Sequence, residues 1–217
     1  MFLELKKNRK AQTELVAYML VAAIIIFSTG VAYMWGVPVI EKSSSNSKIK
    51  AAQSQLTNIN EEISNVLLNG GQTNVILNID GELKIDEKTN SFYYSFKSPV
   101  THITSEEWIP VSGSNMWGVN GTPEETGAGR MGIDDPGVLL ARAHPTGDEY
   151  FITFRLAYRE LDDLTTTGGK KVKLVIKGNG AASGKSTLLI RSEEAYVDGD
   201  AVYGGDLVII PIELALK

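Results

Sequence analysis

The sequence contains no cysteine, which excludes disulfide bonds, thiolate metal ligands and a cysteine nucleophile. Its two histidines, His102 and His144, each lie near a proline, so we interpret them as loop residues rather than a metal pair or a catalytic base. No serine stands in a nucleophile-elbow motif. The formal charge of −5 lacks the basic excess of a nucleic-acid-binding protein. We therefore predict a protein that is not an enzyme, with no catalytic, cofactor-binding or metal-binding residues, no cofactor and no nucleic-acid partner.

Charge is also absent from a long internal stretch. Residues 15–40 carry no charged side chain, and this run exceeds the roughly 20 apolar residues that a membrane-spanning helix needs. It is also longer than the apolar core of about 7–15 residues in an ordinary secretory signal peptide. Lys6, Lys7, Arg9 and Lys10 precede it directly, so the positive-inside rule predicts a cytoplasmic N-terminus and an extracellular C-terminal part.

The junction between the basic residues and the apolar run has a recognisable order. It reads Arg9-Lys10-Ala11-Gln12-Thr13-Glu14-Leu15, that is, basic residues, a small residue, a polar stretch and then the apolar helix. This order resembles the class III signal peptide of archaeal type IV pilins and archaellins. The resemblance implies that a prepilin peptidase cleaves between Ala11 and Gln12 and that the apolar segment remains on the mature chain.

The resemblance also implies an assembly role for Glu14. In pilins of this type a glutamate near the start of the mature chain pairs with the N-terminal amine of a neighbouring subunit. That glutamate is often the fifth mature residue, whereas Glu14 would be the third and Val16 the fifth. A carboxylate beside an apolar run is costly to desolvate without a cation. Glu14 therefore either pairs with a neighbouring subunit or lies in the lipid headgroup layer.

A second helical pattern follows the apolar run. It ends at Asn69-Gly70-Gly71, a C-terminal stop signal. Pro38 and the serines of residues 43–47 predict a kink or a break between the two helical parts. We expect a leader at residues 1–11, a transmembrane helix with an amphipathic extension at 12–71, and an extracellular head at 72–217. Apolar residues recur at spacings of three and four in the extension, at Ile49, Ala52, Leu56, Ile59, Ile63, Val66 and Leu67.

The head has the alternating pattern of β-strands. Asp80-Gly81 stands where a two-residue hairpin turn would join strands at residues 74–79 and 83–85. A short helical turn is predicted at residues 138–143. The fold class is therefore α+β, a long N-terminal pilin-type helix followed by an antiparallel, sandwich-like β head. Further strands are predicted at residues 92–96, after a turn at 88–90, and at 150–158, 172–177, 186–191, 195–197 and 207–216.

Two segments of the head resemble ligand sites. Residues 177–187 contain Gly184-Lys185-Ser186, as in a nucleotide-binding P-loop, but Asn179 occupies the position of the first required glycine. We interpret this segment as a glycine-rich hairpin loop between two strands. The acidic pairs could bind calcium, but none has the spacing of a calcium loop, so solvated turns are the favoured interpretation. These pairs are Asp134-Asp135, Asp162-Asp163 and Asp198-Gly199-Asp200.

A long polar loop is predicted at residues 112–136. Asn120-Gly121-Thr122 within it is an acceptor pattern for N-glycosylation, although Pro123 directly follows. Met116 and Trp117 in the same loop either contact an external partner or pack onto the core.

Together with the helix and head predicted above, the resemblance implies a structural subunit, major or minor, of an archaeal type IV pilus-like surface filament. Its expected partners are the membrane, prepilin peptidase and other pilin subunits. We expect the precursor in the cell membrane and the mature chain in the cell-surface filament. The alternative is an uncleaved, single-pass membrane-anchored protein with an extracellular binding or accessory role.

Overall fold

A computed structural model describes residues 2–111, 128–163, 165 and 167–217, with side chains from Thr13 onward. One N-terminal helix is followed by β-strands, so the α+β class with an N-terminal helix is confirmed. The chain divides into two compact units, Met1–Ser44 and Ser45–Lys217. The first unit is helical, and the second contains the end of the helix and all the strands named below.

Helix α1 spans Phe2–Asn69. The predicted break is wrong, because Pro38 and the serines after it lie inside the helix. A proline removes one backbone hydrogen bond, and this loss is local, so α1 continues through Val39 and Ile40. The predicted stop is confirmed. Gly70 adopts a left-handed φ of 69°, and its N–H donates to the Val66 carbonyl at 2.8 Å.

The strands of the second unit form a single mixed sheet that curves into a half-barrel. Within the described residues its order is β3-β5-β6-β2-β1-β9-β11-β8-β7-β4, with β10 paired to β11. The predicted sandwich is not confirmed. The strands are β1 Gln72–Asp86, β2 Ser91–Ser98, β3 Ile109–Pro110, β4 Gly129–Arg130, β5 Gly137–Thr146, β6 Glu149–Tyr158, β7 Glu160–Asp162, β8 Gly168–Ile176, β9 Ala181–Ser192, β10 Tyr196–Asp200 and β11 Asp206–Leu216.

The sequence predicted an antiparallel head, but the sheet is mixed. Strand β11 is parallel to β8 and antiparallel to β9, and it lies between them. The glycine-rich segment that joins β8 to β9 therefore crosses over β11 and is not a hairpin loop. The predicted helical turn at residues 138–143 is also wrong, because these residues belong to β5 and pair with β6.

The helix–sheet core follows the predicted apolar stripe. In the second unit the stripe of α1 packs against the inner face of the sheet, together with Phe92 and Phe154. The predicted strand at residues 150–158 is confirmed as β6, but Thr153 and Arg155 on its outer face are buried as well. Other side chains must therefore cover part of the outer face. The buried helix residues are Ile49, Ala52, Leu56, Ile59, Ile63 and Val66.

The predicted hairpin at Asp80-Gly81 is wrong, because β1 continues through both residues. The pairing of β1 with β9 shifts between Ile79 and Leu83, which is a β-bulge. The Asp80 N–H donates to the Tyr94 hydroxyl at 2.8 Å. This side-chain contact replaces the inter-strand backbone hydrogen bond that the shift in pairing removes. Gly81 has a φ of 151°, and a Cβ placed there would lie 2.3 Å from the Ser95 carbonyl oxygen.

We expect Gly81→Ala to lower the free energy of unfolding of the head by about 2–4 kcal/mol, since it adds backbone strain and a clash with main-chain atoms. Gly184→Ala is the matched control, because Gly184 also has a positive φ (73°) but open space around a Cβ. The control should cost about 1 kcal/mol. Urea titration of both variants measures the difference, and equal losses would show that the contact with Ser95 relaxes freely.

Candidate functional site

The apolar run of α1 exposes large hydrophobic side chains on every side of the helix. Ile24, Ile25, Ile26 and Phe27 are consecutive, and each is more than half exposed. Because successive helical residues are rotated by about 100°, four in a row cover the whole circumference. A helix that is apolar all round is stable only inside lipid or inside a bundle of other helices. This surface is the candidate functional site of the first unit.

The dimensions of this segment suit a bilayer. Twenty-six residues at about 1.5 Å each span about 39 Å, against a hydrocarbon core of about 30 Å. Near its centre, the Thr29 hydroxyl is satisfied within the helix, since Thr29 Oγ1 donates to the Ile25 carbonyl at 2.8 Å. Tyr33 and Trp35 lie toward its C-terminal end, where amphipathic rings favour the membrane interface. In the described chain, α1 is long and apolar enough to cross a membrane.

The residues of the predicted processing site lie at the start of this segment. Ala11 and Gln12 belong to α1, although their side chains are outside the described ones. Glu14 is exposed on the same helix and makes no ion pair with any side chain from Thr13 onward that the structure describes. Its assembly role stays a prediction. Asn120, Met116 and Trp117 lie outside the described residues, so the glycosylation prediction is untested.

The glycine-rich segment has the wrong structure for a phosphate site. Residues 181–187, which include Gly184, Lys185 and Ser186, belong to strand β9. A P-loop needs a helix N-terminus after its glycines, because that terminus supplies backbone N–H groups to the phosphates. Here those N–H groups belong to a strand that pairs with β1 and, further along, with β11.

The acidic pairs do not converge. Among the described residues, no group of three histidine, aspartate or glutamate side chains is placed to hold a metal ion. Asp134 Oδ2 instead accepts from the Arg130 N–H at 2.7 Å, and Asp163 Oδ1 accepts from the Thr165 N–H at 2.8 Å. These are contacts that shape turns. His144 lies on strand β5 rather than in a loop, 3.9 Å from the Glu106 carboxylate.

Two titratable groups at one end of the sheet are perturbed by their surroundings. Burial raises the pKa of Tyr158 well above its ordinary value. Burial also lowers the pKa of Arg159, which Asp134 and Asp135 partly oppose. The Arg159 Nε donates to the Asp135 carbonyl at 3.4 Å, and its guanidinium is held against Gly129. These groups pack within the sheet rather than around an open cleft, so we assign them a structural role.

The outer face of the sheet carries an aromatic–arginine cluster, formed by Tyr93, Trp108, Arg142 and Arg155, that sequence patterns did not single out. The Arg142 guanidinium lies 4.3 Å from the Trp108 ring centroid, and Arg155 lies 5.4 Å from that of Tyr93. The rings of Tyr93 and Trp108 are 6.3 Å apart. Only strand register brings these residues together, because they come from β2, β5, β6 and the segment before β3. The one sequence signal for this cluster was the alternation within each strand, which places Tyr93, Arg142 and Arg155 on the outer face of the sheet.

Comparisons with known proteins identify no relative. No protein-family model, no curated protein and no solved structure matches this chain.

Proposed function

We propose that the chain is a pilin-like subunit of an archaeal type IV pilus-like filament. A prepilin peptidase removes residues 1–11, and the mature chain polymerises through its N-terminal helix. The observation that carries this proposal is the apolar surface around the whole of α1 at residues 15–40. A single surface that suits both lipid before assembly and a helical bundle after assembly is what a pilin requires.

Small side chains on this helix support close packing between subunits. Ala17, Ala22, Ala23 and Gly30 interrupt the large residues, and space around a Cβ at Gly30 is open. In lipid the hydrophobic effect does not drive helices together, so association depends on close approach at such small residues. In a filament the large apolar side chains between them would be withdrawn from lipid and from water together.

The head is built around the end of the same helix, which also supports the proposal. Ile49, Leu56 and Ile63 of α1 are essentially fully buried in the core of the second unit. A subunit held in a filament by its N-terminal segment must resist forces applied to its head. A helix whose C-terminal half is part of the core of the head meets this requirement, whereas a flexible linker to a separate domain would not.

The test is the N-terminal sequence or intact mass of the protein from membranes and from sheared surface material of its native host. The proposal predicts a chain that begins at Gln12 in the sheared fraction. A chain that begins at Met1 and is confined to the membrane would contradict it. That result would leave the alternative, an uncleaved membrane-anchored protein with an extracellular binding or accessory role.

Processing also predicts a sharp effect of substitution at Ala11. Co-expression with an archaeal prepilin peptidase should convert the wild-type precursor and the Ala11→Gly and Ala11→Ser variants, because the small residue is retained. Ala11→Glu should remain uncleaved, since a long charged side chain replaces that small residue. Immunoblotting of the precursor and mature forms measures this. Equal cleavage of Ala11→Glu and wild type would contradict the assignment of the site.

A further inference from the structure

A depression of about 270 Å³ lies on the outer face of the sheet, beside the aromatic–arginine cluster. Its position follows from the register of four neighbouring strands. Glu82 of β1 pairs with Ser95 of β2, Ser95 with Thr153 of β6, and Thr153 with Arg142 of β5. These four residues form one row across the sheet. At about 4.8 Å per strand the row is about 14 Å long, with a carboxylate at one end and a guanidinium at the other.

The two middle residues of this row, Ser95 and Thr153, have small side chains and form the floor of the depression. Ser95 Oγ and Thr153 Oγ1 are 3.3 Å apart and form a floor of hydroxyl groups. Two residues away along the strands, an aromatic ring stands on either side of the floor, Tyr93 on β2 and Phe151 on β6. The two aromatic rows are therefore about 13 Å apart along the strands. The depression thus has a polar floor, aromatic sides and charged ends.

The walls are held in place before any ligand arrives. The Tyr93 hydroxyl is 3.1 Å from Thr89 Oγ1. The Tyr93 ring lies next to the Trp108 ring and the Arg155 guanidinium. Arg142 stacks on Trp108 and lines the depression, and among the described residues its guanidinium has no hydrogen bond or ion pair. A guanidinium fixed by stacking keeps its donor capacity for another molecule. Side chains fixed on strands by supporting contacts are the usual basis of a specific site.

The charges around the depression identify the chemistry of its ligand. Glu82 and Asp86 balance Lys84 and Arg142, so the lining has no net charge and favours neither an anion nor a cation. Carboxylate, guanidinium and hydroxyl groups together both accept and donate hydrogen bonds, as neighbouring hydroxyl groups of a sugar do. Aromatic rings offer the flat apolar surface that the C–H face of a pyranose covers.

We propose that this depression binds a short neutral oligosaccharide, which lies along the row from Glu82 to Arg142. The length of the row suits two or three sugar residues, with Tyr93 and Phe151 beside the rings and Ser95 and Thr153 beneath them. The site uses only the outer face of the second unit. It is therefore independent of processing and of polymerisation, and its failure would leave the proposed function untouched.

The test uses the full chain in lipid nanodiscs, so that no sugar-based detergent competes. Maltotriose, cellotriose, mannotriose and chitotriose are titrated by calorimetry and by saturation-transfer NMR, with trigalacturonate as the acidic comparator. We expect saturable binding in the millimolar range to at least one neutral trisaccharide. Tyr93→Ala and Arg142→Gln should weaken that binding by about tenfold or more, since each removes a principal contact.

Surface variants separate loss of contact from loss of fold. Glu82→Gln and Phe151→Ala alter exposed residues, so the melting temperature should stay unchanged while affinity falls several-fold. Tyr203→Ala removes an exposed tyrosine elsewhere in the head and should bind as wild type. The proposal is overturned if no neutral trisaccharide binds at tens of millimolar. Tighter binding of trigalacturonate, or binding that survives both Glu82→Gln and Arg142→Gln, would overturn it as well.

Discussion

Two arginines in the apolar run, Val21→Arg and Ile25→Arg together, are expected to keep the chain out of the membrane and out of any filament. Both side chains are more than half exposed and lie one helical turn apart on one face of α1. Each arginine at the centre of a membrane-spanning helix costs about 2.5–3.5 kcal/mol of insertion free energy. The pair therefore shifts the insertion equilibrium by several powers of ten. Carbonate extraction of membranes and recovery of sheared surface material measure the two losses.

Ile76→Arg with Val197→Arg is the matched control. Ile76 is 83% exposed on β1 and Val197 is exposed on β10, so both pairs of variants replace exposed apolar residues. In the head such replacements should change stability by less than about 0.5 kcal/mol and leave membrane association intact. If both double variants behaved alike, the exposed surface of α1 would have no special need for lipid or for neighbouring helices.

The helix was predictable because its signals are local. A charge-free run, a stripe at spacings of three and four, and Asn69-Gly70 at the end depend only on residues close in sequence. The long-range pairing of the strands was not predictable in the same way. Asp80-Gly81 has the sequence of a hairpin turn, yet β9 and β2 supply hydrogen-bond partners to β1 on its two sides, so a bulge replaces the turn. Strand β9 lies far from β1 in sequence, so a local pattern could not reveal that partner.

The two candidate sites differ in the same way, since one follows from local sequence and the other from long-range strand pairing. The apolar surface of α1 follows from composition, because a helix with four large apolar residues in succession has no polar face. The oligosaccharide site required the register of β1, β2, β6 and β5, since residues as distant as Glu82 and Arg142 become neighbours in one row only through pairing. Residues 138–143 show the cost of relying on a local pattern, because buried residues on both faces of β5 hide the alternation of a strand.

Leu56→Ala is expected to destabilise the head more than any surface change in the same helix. Leu56 is fully buried in the core that α1 shares with the sheet, so truncation leaves a cavity lined by apolar side chains. Leucine-to-alanine changes of this kind cost about 2–5 kcal/mol. The free energy of unfolding of the full chain in nanodiscs, measured by urea titration of the β-sheet circular dichroism signal, should fall by that amount.

Leu68→Ala is the control from the last turn of the same helix, because Leu68 is 83% exposed. Alanine has a slightly better helix propensity than leucine, so this change should alter stability by less than about 0.5 kcal/mol. A large effect at Leu56 with none at Leu68 would show that the C-terminal part of α1 belongs to the folding unit of the head. Equal small effects would mean that the sheet is stable without the helix. In that case the helix could not couple the head to the N-terminal segment, and the filament proposal would lose the support that it draws from the buried stripe.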